Sequence, residues 1–316
     1  MNASRTTKRR GLRFWALLGL SVIGVVLLAA AGSVGVMAYG AAAEWTHPAR
    51  SISQDTPAAY GLDYEDVVLE TEDGLHLAAW YVPSKNGTAL IMLHGRGGNR
   101  SGDLALAHDL AQAGYGLLLL DLRAHGESEG TVSSLGYNEV RDVRAATRYV
   151  QQRPGVDPER IGVYGASMGA AVAIMAAAEL PELKAVVADS SYASVEWVVR
   201  NQFQKLDGVP PWLGPVVVAM GSWQIGVDAS QIAPVQRVGR ISPRPLLIVH
   251  GEQDEMFLLE NAALLAAAAG EPKEIWIGPG VRHTQMYGTD PVAYVNRVSA
   301  FYDRALGEGD RRTALP

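Results

Sequence analysis

Residues 163–175 read VYGASMGAAVAIM, and Gly165-Ala166-Ser167-Met168-Gly169 at their centre is a G-x-S-x-G pentapeptide. In a chain of 316 residues with 34 glycines the pentapeptide alone decides little. Its surroundings decide more. RIGVYGA (160–166) is a short apolar run that reads as a strand, and MGAAVAIMAAAEL, from 168, reads as a helix. Ser167 therefore falls on the turn between them. A sharp strand–turn–helix bend crowds the backbone, and Gly165 and Gly169 supply the small residues it needs on either side. The helix N-terminus also aims backbone N–H groups at this point, which suits a developing oxyanion.

Working outward, seven more strand-like runs occur at 66–70, 75–83, 89–95, 116–122, 185–190, 245–251 and 274–279. Glu72-Asp73-Gly74 joins the first two as a hairpin. From 89 onward the runs are continuously apolar, as parallel strands covered on both faces require. Helical patterns occupy about 101–113, 136–152, 168–179, 258–269 and 291–306, the last opened by an Asp290 cap and Pro291. Strands alternating with helices predict a doubly wound α/β sheet whose ligands bind beyond the strands' carboxyl ends.

The N-terminal sixty residues are different. Residues 1–13 carry five basic side chains and no acid, and 14–43 carry no charge at all. A run of that length exceeds the roughly 20 residues needed to cross a bilayer and the roughly 7–15 of a signal-peptide core. It reads as an uncleaved signal anchor. The rivals are a signal peptide cleaved near Ala41-Ala42-Ala43 and a buried core helix. Trp15, Tyr39 and Trp45 sit at its ends, where aromatic rings favour the interface, and the basic flank predicts that residues 44–316 lie outside the cytoplasm. Residues 44–60, with Pro48 and Pro57, read as a linker, 61–307 as the globular domain and 308–316 as a tail.

The net charge of −6 and a pI near 5.7 leave no electrostatic footprint for nucleic acid. The absence of cysteine excludes disulfides, thiolate metal ligands and a thiol nucleophile. The histidines lack the i, i+4 spacing with glutamate of a zinc helix, and no carboxylate cluster has the pattern of a calcium loop, so neither metal nor cofactor is expected.

Eight runs in order, HGRGG after the third, DLRAHGESEG after the fourth, GASMG after the fifth, HGEQD after the seventh and a histidine after the eighth resemble the α/β-hydrolase superfamily. Within the superfamily the chain looks most like single-pass, membrane-anchored serine hydrolases near the dienelactone-hydrolase and prolyl-oligopeptidase branches. The resemblance spans residues 61–307 and implies an eight-stranded, mostly parallel sheet flanked by helices and carrying a small helical cap at about 192–243. It also implies a Ser…acid…His order, which assigns Ser167 as nucleophile and His283, in GPGVRHTQMYG, as base. Asp254 in HGEQDEMF is the acid that fits best, with Asp189 after the sixth strand as the competitor. The oxyanion hole falls to the backbone N–H groups of Met168 and Arg96. HGRGGN could instead be a tight polar loop or a phosphate cradle, the latter a poor fit for lack of a GK[ST] ending or G-x-G-x-x-G. Arg96 and Arg123 read as solvated arginines, with a substrate carboxylate as the alternative. Trp197, Phe203, Trp212 and Trp223 in the cap read first as packing residues, with an acyl pocket or the membrane surface as alternatives. The expected function is a membrane-anchored serine hydrolase of ester-like acyl bonds on a small or lipid-like substrate. A peptidase or acyltransferase, and a non-catalytic binding protein of the same fold, are the rivals. A serine nucleophile excludes the dehalogenase and epoxide-hydrolase chemistries, which use aspartate.

Overall fold

The computed structural model describes residues 3–52, 55–206 and 210–307; the basic side chains of 1–13, the Phe203 ring and the tail 308–316 lie outside the described residues. Eight strands follow in chain order: β1 (Glu65–Glu70), β2 (His76–Val82), β3 (Ala89–Leu93), β4 (Gly116–Leu120), β5 (Ile161–Ala166), β6 (Ala185–Asp189), β7 (Leu246–Gly251) and β8 (Lys273–Gly278). The helices are α1 (Ala3–Thr46), α2 (Leu104–Gln112), α3 (Glu139–Gln151), α4 (Met168–Ala177), α5 (Val195–Leu206), α6 (Gly214–Ile225), α7 (Pro234–Arg237), α8 (Glu260–Ala268), α9 (Met286–Thr289) and α10 (Pro291–Leu306). The eight apolar runs of the sequence all become strands of one sheet, in the order β1-β2-β4-β3-β5-β6-β7-β8.

β1 pairs antiparallel with β2, with Glu70 opposite His76, and β2 pairs antiparallel with β4. The remaining ladders are parallel. β3 to β7 are buried along their whole length, as their unbroken apolar composition demands, whereas β1 alternates and keeps one face to solvent. α3, α4 and α8 cover one face of the sheet and α2 and α10 the other. Each buried leucine or valine between them stabilises the fold by about 1.5–3 kcal/mol. The chain turns to opposite sides of β3 when it enters β4 and then β5. The loops after β3 and β5 therefore leave the sheet side by side, at the crevice where such sheets bind ligands.

The expected cap consists of α5 and α6 with short helical turns. Trp197 packs half-buried on the main core, but Trp212 and Trp223 are 65% and 73% exposed, which corrects the reading of these two as packing residues. α1 continues three residues past the uncharged run, so Glu44, Trp45 and Thr46 finish a helix rather than begin a linker. Its final turns lie against α6, where Ala38 and Ala42 are buried with Leu213 and Val217.

Arg123 also departs from its sequence reading. It is buried, and its guanidinium meets Asp142 at 2.7 Å and Asp73 at 2.8 Å, tying the loop after β4 to α3 and to the β1–β2 hairpin. It neither faces solvent nor lines the cavity beside Ser167. Replacing it by methionine would strand the fully buried Asp142 carboxylate. Arg123→Met is expected to lower the unfolding free energy by about 3–5 kcal/mol in urea denaturation of the purified protein. An unchanged midpoint would contradict this role.

Candidate active site

The turn after β5 is held by steric necessity. A Cβ on Gly165 would overlap the Gly169 carbonyl, and a Cβ on Gly169 would overlap the Leu93 carbonyl at the end of β3. Only glycine lets β3, β5 and α4 approach so closely. Between them Ser167 adopts φ 57°, ψ −119°, a conformation that costs an L-residue on the order of 1–3 kcal/mol and survives where its neighbours over-determine it. Its N–H donates to the Asp189 carbonyl at 2.8 Å, which fixes the bend from the β6 side.

The Ser167 hydroxyl lies 2.9 Å from His283 Nε2, and His283 Nδ1 lies 2.7 Å from Asp254 Oδ2. Three residues from the ends of β5, β7 and β8 thus form one hydrogen-bonded chain. A carboxylate offers only acceptors, so the proton sits on Nδ1 and leaves Nε2 to accept from the serine. Asp254 is fully buried at its side chain, and its other oxygen accepts the N–H groups of Met256 (2.9 Å) and Phe257 (2.7 Å).

His250, at the end of β7, contributes in a way its sequence position does not reveal. Its Nε2–H donates to the Phe257 carbonyl at 2.7 Å, which pins the loop carrying Asp254. Phe257 in turn stands edge-on to the His283 ring, with centroids 5.2 Å apart. Asp189, the competing acid, is placed elsewhere. Its oxygens accept from Tyr294 (2.6 Å) and Ser190 (2.8 Å), and burial raises its pKa above the ordinary carboxylate value.

On the other side of Ser167 stands the loop after β3. A Cβ on Gly95 would come within 3.2 Å of the Ser167 Cβ, so this loop and the serine are in close apposition. His94 Nδ1–H donates to the Gly95 carbonyl at 2.7 Å, and the Gly98 N–H reaches the same oxygen at 3.1 Å. Because the peptide is planar and trans, fixing that carbonyl turns the Arg96 N–H the opposite way. His94 Nε2 accepts the Leu122 N–H, and burial, helped by the neighbouring His125, lowers its pKa to about 3. It stays neutral near pH 7 and acts as a brace. Met168 is the first residue of α4, where an N–H has no partner within the helix. The Arg96 side chain is not solvated alone: its guanidinium lies 4.3 Å over the Trp45 ring and donates to the Glu44 carbonyl at 2.8 Å.

Above these groups opens a cavity of about 530 Å³, within the roughly 300–1,000 Å³ of small-molecule sites. Ser167, His283, Met168 and Arg96 lie at its polar end. Its upper wall is apolar and comes from α5 and α6, with Val198, Val217, Val218 and Ile225. Asp103 and Tyr164 also line it, and burial followed by the charge of Asp189 raises the Asp103 pKa to about 6. The sequence singled out neither, because neither stands in a motif.

The prolyl oligopeptidase family matches residues 110–309. The uncharacterized protein Rv2307c of Mycobacterium tuberculosis is 32% identical over 239 residues, covering 75% of this chain and 76% of its own. A polyketide transferase of Stachybotrys chlorohalonatus is 27% identical over 77% of this chain and 97% of its own. Among solved structures, the esterase Pf2001 of Pyrococcus furiosus superposes with a TM-score of 0.69 at 26% identity, covering 82% of this chain and all of that one. With a matching family segment longer than half the chain and a relative above 30% identity across three quarters of it, the protein belongs to the prolyl oligopeptidase family and is a serine hydrolase of the α/β-hydrolase fold.

Proposed function

We propose that the chain is a membrane-anchored hydrolase of carboxylic esters that works through Ser167, His283 and Asp254. The observation that carries this reading is the chain of hydrogen bonds from Asp254 through His283 to Ser167, 2.7 and 2.9 Å long, ending at a serine held at positive φ beneath an apolar cavity. His283 takes the Ser167 proton as Oγ attacks the ester carbonyl, and Asp254 stabilises the imidazolium that forms. The N–H groups of Met168 and Arg96 receive the oxyanion. His283 then protonates the departing alkoxide, leaving the acyl group on Ser167. Water, deprotonated by the same histidine, adds to the acyl-enzyme through a second oxyanion and releases the acid. No step calls for a metal or cofactor.

The apolar wall supports an acyl substrate, small or lipid-like, over a peptide, which needs polar partners for its backbone. The likeness to an esterase over that protein's full length supports the same choice. Peptide cleavage is the second reading, favoured by the family match, and acyl transfer to an acceptor other than water the third, favoured by the relative named as a transferase. For α1, the helix Phe14–Thr46 is long and apolar enough to cross a membrane. With its basic flank, it supports an uncleaved anchor holding the catalytic domain on the extracytoplasmic side.

A fluorophosphonate probe is expected to label the full-length protein and to fail on Ser167→Ala and His283→Ala. Each variant is expected to lose at least about 10⁴-fold in kcat on p-nitrophenyl esters. Labelling that persists in Ser167→Ala sinks the nucleophile assignment. An unlabelled parent favours a binding protein, and faster cleavage of peptide anilides than of esters favours a peptidase.

Asp254→Asn is expected to reduce kcat by about 10⁴-fold at an unaltered probe-binding affinity, since the wrong imidazole tautomer is stabilised. The opposite pattern, with Asp189→Asn inactive and Asp254→Asn active, would transfer the acid role to Asp189. Protease added to intact cells is expected to digest the catalytic domain; full protection would place it inside.

A further inference from the structure

Residues of α1 reach the active site. Ala42, Trp45 and Thr46 line the same cavity as Ser167 and His283, facing Val217, Gly221 and Ile225 of α6. The two helices approach closely because the residues between them are small: a Cβ on Gly221 would sit only 3.9 Å from the Ala42 Cβ and 4.0 Å from the Thr46 Cγ2. Polar contacts fix the register. The Thr46 hydroxyl donates to the Gln224 amide oxygen at 2.6 Å, and the Gln224 amide nitrogen donates to the Tyr39 carbonyl at 3.1 Å. Below the cap, the Thr46 carbonyl accepts the Ser133 N–H at 2.8 Å, and Trp45 and Glu44 hold the Arg96 side chain of the oxyanion loop. Beyond the helix, Arg50 donates to the carbonyls of Gly126, Ser128 and Gly130, so the connecting segment is tied to the domain as well.

α1 therefore has two parts. Residues 14–33 are almost entirely exposed and, at 1.5 Å per residue, span about 30 Å, the thickness of a hydrocarbon core. From Val34 the helix is docked, with Val34, Ala38 and Ala42 gathered against Leu213 and Val217 of the cap. Docking leaves no free spacer between bilayer and cavity. The exposed Trp212 directly precedes Leu213, and the exposed Trp223 lies 6.4 Å from Tyr39 of α1. Exposed aromatic rings beside an emerging membrane helix occupy the headgroup level.

From this arrangement, and resting on the ester-hydrolase reading above, we infer that the end of α1 is a wall of the acyl site and that the substrate is a long-chain fatty acyl ester drawn from the bilayer that α1 crosses. The acyl chain lies between α1 and α6, and its carbonyl reaches Ser167. Ala42 and Val218 set how much chain the cavity accepts, Ala42 from the anchor and Val218 from the cap.

The test uses the full-length protein in phosphatidylcholine vesicles, assayed on a fluorogenic palmitoyl ester placed in the bilayer and on the matching butyryl ester in solution. The parent is expected to cleave both. Ala42→Phe and Val218→Phe are each expected to lower the palmitoyl-to-butyryl ratio of kcat/KM at least about tenfold, because added bulk excludes methylenes from an apolar pocket. Val218→Phe keeps the result readable if Ala42→Phe undocks α1. Palmitoyl ester is expected to be cleaved in the vesicles that hold the protein and spared in separate ones. Equal cleavage of both vesicle populations, or an unchanged ratio in both variants, overturns the inference. A parent active on butyryl ester and inert on palmitoyl ester overturns it too and leaves the ester-hydrolase reading standing. A parent inert on both esters removes that reading, and the inference with it.

Discussion

Everything at the site depends on one steric fact: there is no room for a side chain at Gly165 or Gly169. A Cβ at either position would fall inside a neighbouring carbonyl group, so β3, β5 and α4 meet at the closest distance backbone allows. That closeness drives Ser167 into a positive φ and pushes its hydroxyl out of the sheet. It also brings the loop after β3 against the serine, so that Gly95 and Arg96 flank it. Ser167 and the N–H groups of Met168 and Arg96 are positioned by one crossing of three elements, and the strain at Ser167 is maintained by a buried sheet and a buried helix on either side.

Around that crossing, the remaining groups are braced by two buried histidines. His94 orients the Gly95–Arg96 peptide from one side, and His250 pins the Asp254 loop from the other. Both are buried at strand ends, where a side chain with two polar atoms bridges segments that a hydrocarbon would leave free. His283 differs from them in exposure as well as partners. Its side chain is 13% exposed and opens to the cavity, as the proton-transfer role proposed for it requires.

How far the sequence revealed this depended on the range of the interactions. Five of the eight strands, β3 to β7, were legible because they are covered on both faces, and burial of that kind writes an unbroken apolar run. That Ser167, Asp254 and His283 meet was legible because each follows a strand, and the loops after such strands gather at one edge of the sheet. Arg123 was misread because its partner Asp142 is nineteen residues away, on another element, with no periodicity to link them. The brace formed by His250 was invisible for a different reason: its partner, the Phe257 carbonyl, is only seven residues on, but it is a backbone group that no residue type marks. The docking of α1 was the largest loss. Ala38 and Ala42 look like any small residues of a long apolar helix, and only their packing with Leu213 and Val217, and that of Ala42 with Gly221, at a distance no local pattern encodes, distinguishes a docked turn from an exposed one.

In the mechanism we propose, Ser167 receives the acyl group while the N–H groups of Met168 and Arg96 receive the oxyanion. A crystal structure of the protein inactivated by a long-chain alkyl phosphonate tests it most directly. It is expected to show phosphorus bonded to Ser167 Oγ, a phosphonyl oxygen within about 2.7–3.1 Å of both N–H groups, and the alkyl chain running between α1 and α6. Phosphorus on another residue, or an oxygen turned away from those two donors, would contradict it.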